Sequence, residues 1–200
     1  MEGVALSVLV HDRIRGTSGR ALALNALALI AGSLLVAALA QVEFHLPFTP
    51  VPVTGQTLGV LLVGAALGAK RGAAAIALYL AEGALGMPVF AGGKGGVVWL
   101  LPASVTGGFL WAFLACAFVV GLLADREWDR NAVRLVPALV AGEIVIFAIG
   151  VPWVAAALDV SLAKAVALAC TPFLAGEAIK MAVVAGVLPG AWKLREILAH

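Results

Sequence analysis

The sequence predicts an all-α integral membrane protein, a bundle of six transmembrane helices with both termini cytoplasmic. Three observations predict it. Of 200 residues, 63% are hydrophobic and only 12% charged, whereas soluble domains run near half apolar and a quarter charged. The apolar residues come in runs of membrane-spanning length: a bilayer core ~30 Å thick takes ~20 residues per helix, so the chain accommodates about six spans joined by short loops. The charges, finally, collect between those runs and mostly on one side. A single transmembrane domain over residues 1–200 leaves no room for a soluble domain of any size.

The spans are expected near residues 21–40, 56–69, 72–87, 104–124, 132–157 and 163–190. The first, from Ala21 to Ala40, is followed by no evident signal-peptidase site and by further apolar runs, so it is expected as a retained helix rather than a cleaved leader. After it comes QVEFHLPFTPVPVTGQT, where Pro47, Pro50 and Pro52 forbid a continuing helix and predict an ordered extended loop. The second and third spans are short and share a hairpin marked by Lys70 and Arg71. Alanine and glycine are plentiful throughout, and small residues let helices approach closely in lipid. Cys116 and Cys170 sit within apolar runs, without zinc-type spacing, and read as small core residues.

Orientation follows from the basic residues. With the N-terminus inside, the inner segments hold Arg13, Arg15, Arg20, Lys70, Arg71, Arg126, Arg130, Arg134, Lys193 and Arg195, ten of the thirteen. Lys94 and Lys164 fall outside, and Lys180 lies within the sixth span. The glycine-flanked Lys94 of PVFAGGKGGVVWLLPASVTGG therefore belongs to an external loop. It is not a Walker loop: Gly95 follows the lysine where a Ser or Thr is needed for magnesium, and there is no strand-to-helix context.

Ionisable residues within a membrane are costly and mark functional sites by default. Glu82, Glu143, Glu177 and Lys180 are the candidates. Glu177 and Lys180 are three residues apart, so they share a helix face. One accepts hydrogen bonds and the other donates them, and together they can grip a polar ligand; the alternative is a self-neutralising pair that lowers a desolvation cost. Glu82 either reaches water near a helix end or serves the site. Glu143 is either a ligand contact or a helix–helix hydrogen-bonding residue. Trp99, Trp111 and Trp153 suit an interfacial belt, although Trp153, after Pro152, can also wall a pocket. Enzymatic signals are poor. The GTSG string at Gly16–Gly19 looks like a rhomboid-protease serine motif, but it precedes the first span, and His11, His45 and His200 all lie outside the predicted helices.

Four stretches carry a family resemblance. FTPVPVTGQTLGV, then YLAEGALGMPVFAGGKGG, then the Thr106–Gly108 TGG, and finally FLAGEAIK occur in that order. Over about Ala26 to Lys193 the chain resembles the BioY family, the biotin-capturing S components of energy-coupling factor (ECF) transporters. The family commonly has an aspartate where this chain has Glu177.

The resemblance implies a six-helix bundle that binds biotin at its external side and works in a bacterial or archaeal plasma membrane. It implies a transmembrane coupling subunit and a pair of ABC-type ATPases as partners, with no enzymatic activity, cofactor, metal or nucleic acid of its own. It implies substrate-binding roles for Glu177, Lys180, Lys94, Glu82, Tyr79, Phe90, Gly95, Thr106, Gly107, Trp153 and Gln56. In this picture Glu177 and Lys180 match the ureido ring, Trp153, Phe90 or Tyr79 pack on the bicycle, and Lys94 meets the carboxylate while the surrounding glycines close over the ligand. Coupling-subunit contact is expected at the small pairs Ala28 and Gly32, or Ser33 and Ala37, of the first helix. Two other readings stay open: an S component for another vitamin, and a proton-coupled carrier using Glu82 or Glu143.

Overall fold

The computed structural model describes residues 19–198. The early basic residues Arg13 and Arg15, most of the GTSG string, His11 and His200 lie outside the described residues, as does the side chain of Arg195. Six helices follow in order: α1 (Gly19–Ala40), α2 (Gln56–Ala84), α3 (Gly107–Ala124), α4 (Ala132–Leu158), α5 (Leu162–Ala169) and α6 (Leu174–Leu198). Two short strands, β1 (Glu43–Phe44) and β2 (Val53–Thr54), pair antiparallel within the proline-rich loop. Five of the helices are long and apolar enough to cross a membrane.

One of those five is folded in two. Within the 29 residues of α2, Gly68 adopts φ 78° and ψ 175°, a conformation open to glycine and not to ordinary L-residues. The chain reverses there. A Cβ placed on Gly72 would stand 3.0 Å from the Cα of Gly64, so the arms 56–67 and 69–84 run back to back. At their far end Gln56 Nε2 donates to Tyr79 Oη at 2.6 Å; in a straight helix 23 residues would separate them by ~34 Å. The hairpin expected around Lys70 and Arg71 is present, and with it the bundle has six spans.

The corner leaves the second arm with unsatisfied N-terminal amides. Asp125, immediately after α3, supplies the cap: Ala69 N donates to Asp125 Oδ2 at 3.1 Å. A side chain at Gly68 would collide with that same carboxylate.

Several boundaries differ from expectation. The third span stops at Ala84 rather than 87, because Gly86 turns at φ 96° and Pro88 follows. The fourth begins at Gly107 rather than 104. The sixth is not one helix over 163–190 but two, α5 and α6, broken at residues 170–173. Pro172 is the cause: it lacks an amide hydrogen and disfavours helical backbone just before it, and the chain leaves helical geometry at Cys170, with φ −126° and ψ −62°. Hydropathy misses this break because the residues around it remain apolar.

The core is formed by Tyr79, Leu61, Ile76, Leu135, Leu139 and Ile146, all essentially fully buried. Large apolar residues also cover the outside, with Leu27 and Leu34 on α1, Ile144 on α4 and Ile179 on α6 exposed. That pattern suits lipid, where an apolar exterior carries no penalty.

The first-helix residues expected to meet a coupling subunit are turned toward the chain itself. Ala28, Gly32, Ser33 and Ala37 are all buried within the chain. A Cβ on Gly32 would meet Ala75 and Val63 of the hairpin at 3.0–3.3 Å, and Ser33 Oγ donates to Glu82 Oε2 of its second arm. Small-xxx-small spacing permits close helix approach but does not say to which helix. Here it serves α2.

The hairpin corner generates a stability prediction. Asp125→Ala should cost about 1 kcal/mol, the usual loss of a helix cap. Gly68→Ala should cost more, since holding an L-residue in this backbone region costs about 1–3 kcal/mol before any collision. Thermal unfolding in detergent should rank them wild type, Asp125→Ala, Gly68→Ala; a Gly68→Ala protein as stable as wild type would remove the corner from this role.

Candidate functional site

Every irregular segment away from the Gly68 corner and the α3–α4 turn collects at one end of the bundle, and a cavity opens there. It is walled by the ribbon residues Val51, Pro52 and Thr54, by Phe90, Lys94 and Trp99 of the glycine-rich loop, by Phe109, Leu110 and Phe113 of α3, by Glu143, Ile146 and Phe147 of α4, and by Phe173 and Glu177 where α6 begins. Counting its open mouth and the solvent in it, the space enclosed by these residues is about 730 Å³.

Its polar feature is a four-residue knot. The break at Pro172 places Glu177 in the first turn of α6, where the helix dipole favours an anion. Glu177 Oε1 accepts from Lys180 Nζ at 2.8 Å, and Glu177 Oε2 accepts from Thr57 Oγ1 at 2.7 Å. Lys180 Nζ also donates to Thr57 Oγ1 at 2.8 Å and to the Thr54 carbonyl at 2.7 Å. An ammonium has three donors, and all three are used. Glu177 therefore faces the cavity while Lys180 stands behind it, tying α6 to the start of α2 and to the ribbon.

Gln56 lines the cavity, with its carbonyl held by Thr54 Oγ1 at 3.0 Å and its amide held on Tyr79. Phe90 reaches the wall edge-on to Tyr79, ring centroids 5.5 Å apart, and sits against Gly83, where any side chain would collide with the ring. Lys94 Nζ lies 4.7 Å from the centre of the Trp99 ring, a cation–π contact. No carboxylate pairs with Lys94 among the described residues. Its loop needs glycine, as Gly92, Gly93 and Gly96 all have positive φ.

Of the expected substrate residues, Glu177, Lys94, Phe90, Thr106 and Gln56 line the cavity. Lys180 and Tyr79 touch it only through Glu177 and Gln56. The other four stand away from the wall. Glu82 is bonded to Ser33. Gly95 packs on backbone, where a Cβ would approach the Met87 carbonyl. Trp153 donates to the Ser104 carbonyl at 2.8 Å and seats its side chain on Gly107 and Gly108, so both Trp153 and Gly107 lock α3 to α4 rather than face the cavity. Among the residues not expected at the site are Thr57, the pair Phe109 and Phe113, and Phe173. The four-residue spacing of Phe109 and Phe113 along α3 is a signal that would have found an aromatic wall.

The sequence model of the BioY family matches residues 15–197. The chain is 39% identical to the biotin transporter BioY of Rhizobium etli, over 72% of this chain and 78% of that protein. It is 39% identical to the biotin transporter BioY of Thermotoga maritima, over 70% and 80%, and 40% identical to the probable biotin transporter BioY of Pyrococcus horikoshii, over 66% and 75%. Its fold is that of a crystal structure of the S-component for biotin from an ECF-type ABC transporter, with a TM-score of 0.81, 21% identity, and coverage of 89% of this chain and 95% of that one. With six spans, a cavity at their broken ends and a family match across nearly its whole length, the chain belongs to the BioY family.

Proposed function

We propose that this chain captures biotin as the substrate-binding component of an ECF-type importer. The observation that carries the reading is the cavity itself. It combines a held carboxylate, Glu177, with an aromatic wall and a lysine that has no carboxylate partner among the described residues. Biotin needs each of these: N–H donors on its ureido ring, an apolar bicycle, and a carboxylate on its tail. The curated relatives named as biotin transporters support it. The protein is a binding component and not an enzyme; ATP hydrolysis belongs to a pair of ABC-type ATPases joined through a membrane coupling subunit. The site faces outward from a prokaryotic plasma membrane. Lys70, Arg71, Arg126 and Arg130 cluster at the end of the bundle away from the cavity, which supports cytoplasmic termini under the positive-inside rule.

Within this reading Glu177 contacts the ligand and Lys180 and Thr57 orient it. A charge-assisted hydrogen bond contributes about 1.5–3 kcal/mol, and each 1.4 kcal/mol is about tenfold in affinity. Glu177→Gln should weaken biotin binding to purified protein about tenfold to a hundredfold, and Glu177→Asp should retain most of it. Lys180→Ala strands a buried carboxylate, so it should lower thermal stability as well as affinity. Lys94→Ala should weaken biotin about tenfold and leave biotin amides unchanged. Full-affinity binding by Glu177→Gln combined with Lys180→Met would make the knot purely structural.

Topology and energetics give two further tests. In intact cells a Lys94→Cys variant should react with an impermeant thiol reagent and Arg130→Cys should not; the reverse pattern inverts the proposed orientation. Concentrative uptake should require co-expressed ATPases and abolish on their inactivation. Biotin accumulation by the purified chain alone, driven by a proton gradient, would replace the ECF reading with a secondary carrier.

A further inference from the structure

The knot accounts for Glu177 and Lys180 but not for the second carboxyl group on the cavity wall. Glu143, at mid-length of α4, is 5% exposed and lines the cavity beside Glu177. Neither of its oxygens accepts a hydrogen bond from a donor side chain or amide of the described residues; the carboxyl group of Glu177 stands within side-chain hydrogen-bonding reach of it. The charged groups acting on it are Glu177 and Lys180, and the donors of Lys180 are already spent on Thr54, Thr57 and Glu177. A buried acceptor left without a donor is costly. The cavity thus presents two neighbouring carboxyl groups, with no amide, hydroxyl or ammonium of the described residues left to serve Glu143. Gly142, its neighbour on α4, packs against Cys116 and Val120 of α3, and a side chain there would crowd both; the helix is thereby held with its next residue turned to the cavity.

We propose that Glu143 is a specificity-determining ligand contact, which receives an N–H of the bound molecule alongside Glu177 and makes this part of the site a reader of paired donors. The proposal rests on the assignment of the cavity to biotin, whose cyclic urea offers two N–H groups. It extends to a ligand class: a cyclic guanidine, which replaces the urea oxygen by a further N–H and is cationic at neutral pH, matches two carboxyl groups better than a urea does.

The test uses the purified full-length chain with biotin and with its guanidine analogue, 2-iminobiotin. Glu143→Gln keeps size but replaces the carboxyl group by an amide, and Glu143→Leu removes the acceptor. Biotin should bind about tenfold more weakly to Glu143→Gln and about a hundredfold more weakly to Glu143→Leu, the range for losing one charge-assisted hydrogen bond. The guanidine analogue should lose more than biotin in Glu143→Gln, since a carboxyl group can ionise against a bound cation and an amide cannot. The ligand-free Glu143→Gln protein should unfold at the same temperature as wild type or higher, because an uncompensated buried acceptor has been weakened. Unchanged affinity for both ligands in both variants overturns the proposal while leaving the biotin assignment intact. Lower ligand-free stability with unchanged affinity also overturns it, as that is the behaviour of a packing residue. A wild-type chain that binds no biotin removes the assignment on which the proposal rests.

Discussion

The ion pair of Glu177 and Lys180 is the interaction on which this end of the molecule depends. Two charges taken out of water repay their desolvation only with excellent geometry and further hydrogen bonds. Both conditions are met: the carboxylate has donors on both oxygens, and the ammonium has three acceptors at 2.7–2.8 Å. Because two of those partners come from residues more than 120 positions earlier, the pair does more than neutralise itself. It fastens the beginning of α6 to the beginning of α2 and to the ribbon that precedes it.

The cavity exists because helices end there. Non-helical backbone at membrane depth is tolerated only where it is buried in protein or lines a polar space, and here the breaks share one end of the bundle. Each has a local cause: Pro47, Pro50 and Pro52 before α2, Gly86 and Pro88 after it, Pro172 between α5 and α6. Their amides and carbonyls are then taken up across segments. Gly96 N donates to the Gly83 carbonyl, Phe90 N to the Lys94 carbonyl, and Gly55 N to the Val42 carbonyl. The opposite end is built on the contrary principle, with the tight Gly68 corner capped by Asp125 and Trp192 Nε1 donating to Asp129 at 2.7 Å. One end is closed by hydrogen bonds to buried or capping carboxylates; the other is left open around an acceptor-rich cavity.

What the sequence determined by itself was whatever local composition dictates. Apolar runs set the number of spans, prolines set where helix is impossible, and the intramembrane charges Glu177 and Lys180 marked the site because only function or pairing sustains them there. Lys94, Phe90, Gln56 and Thr106 were legible through the motifs that contain them. Only the tertiary structure decided which face each residue turns to which neighbour. Glu82, Trp153 and Gly107 carry the same chemistry as cavity residues yet are consumed by Ser33, Ser104 and a tryptophan side chain. Ala28 and Gly32 have the spacing of an interface and spend it on the chain's own hairpin. Thr57 reads as an ordinary helix residue until the helices meet, and the shared face of Phe109 and Phe113 does not say what it walls. Spacing along a chain fixes which residues share a helix face; the partner that face meets is chosen by packing among all six spans, which no single segment encodes.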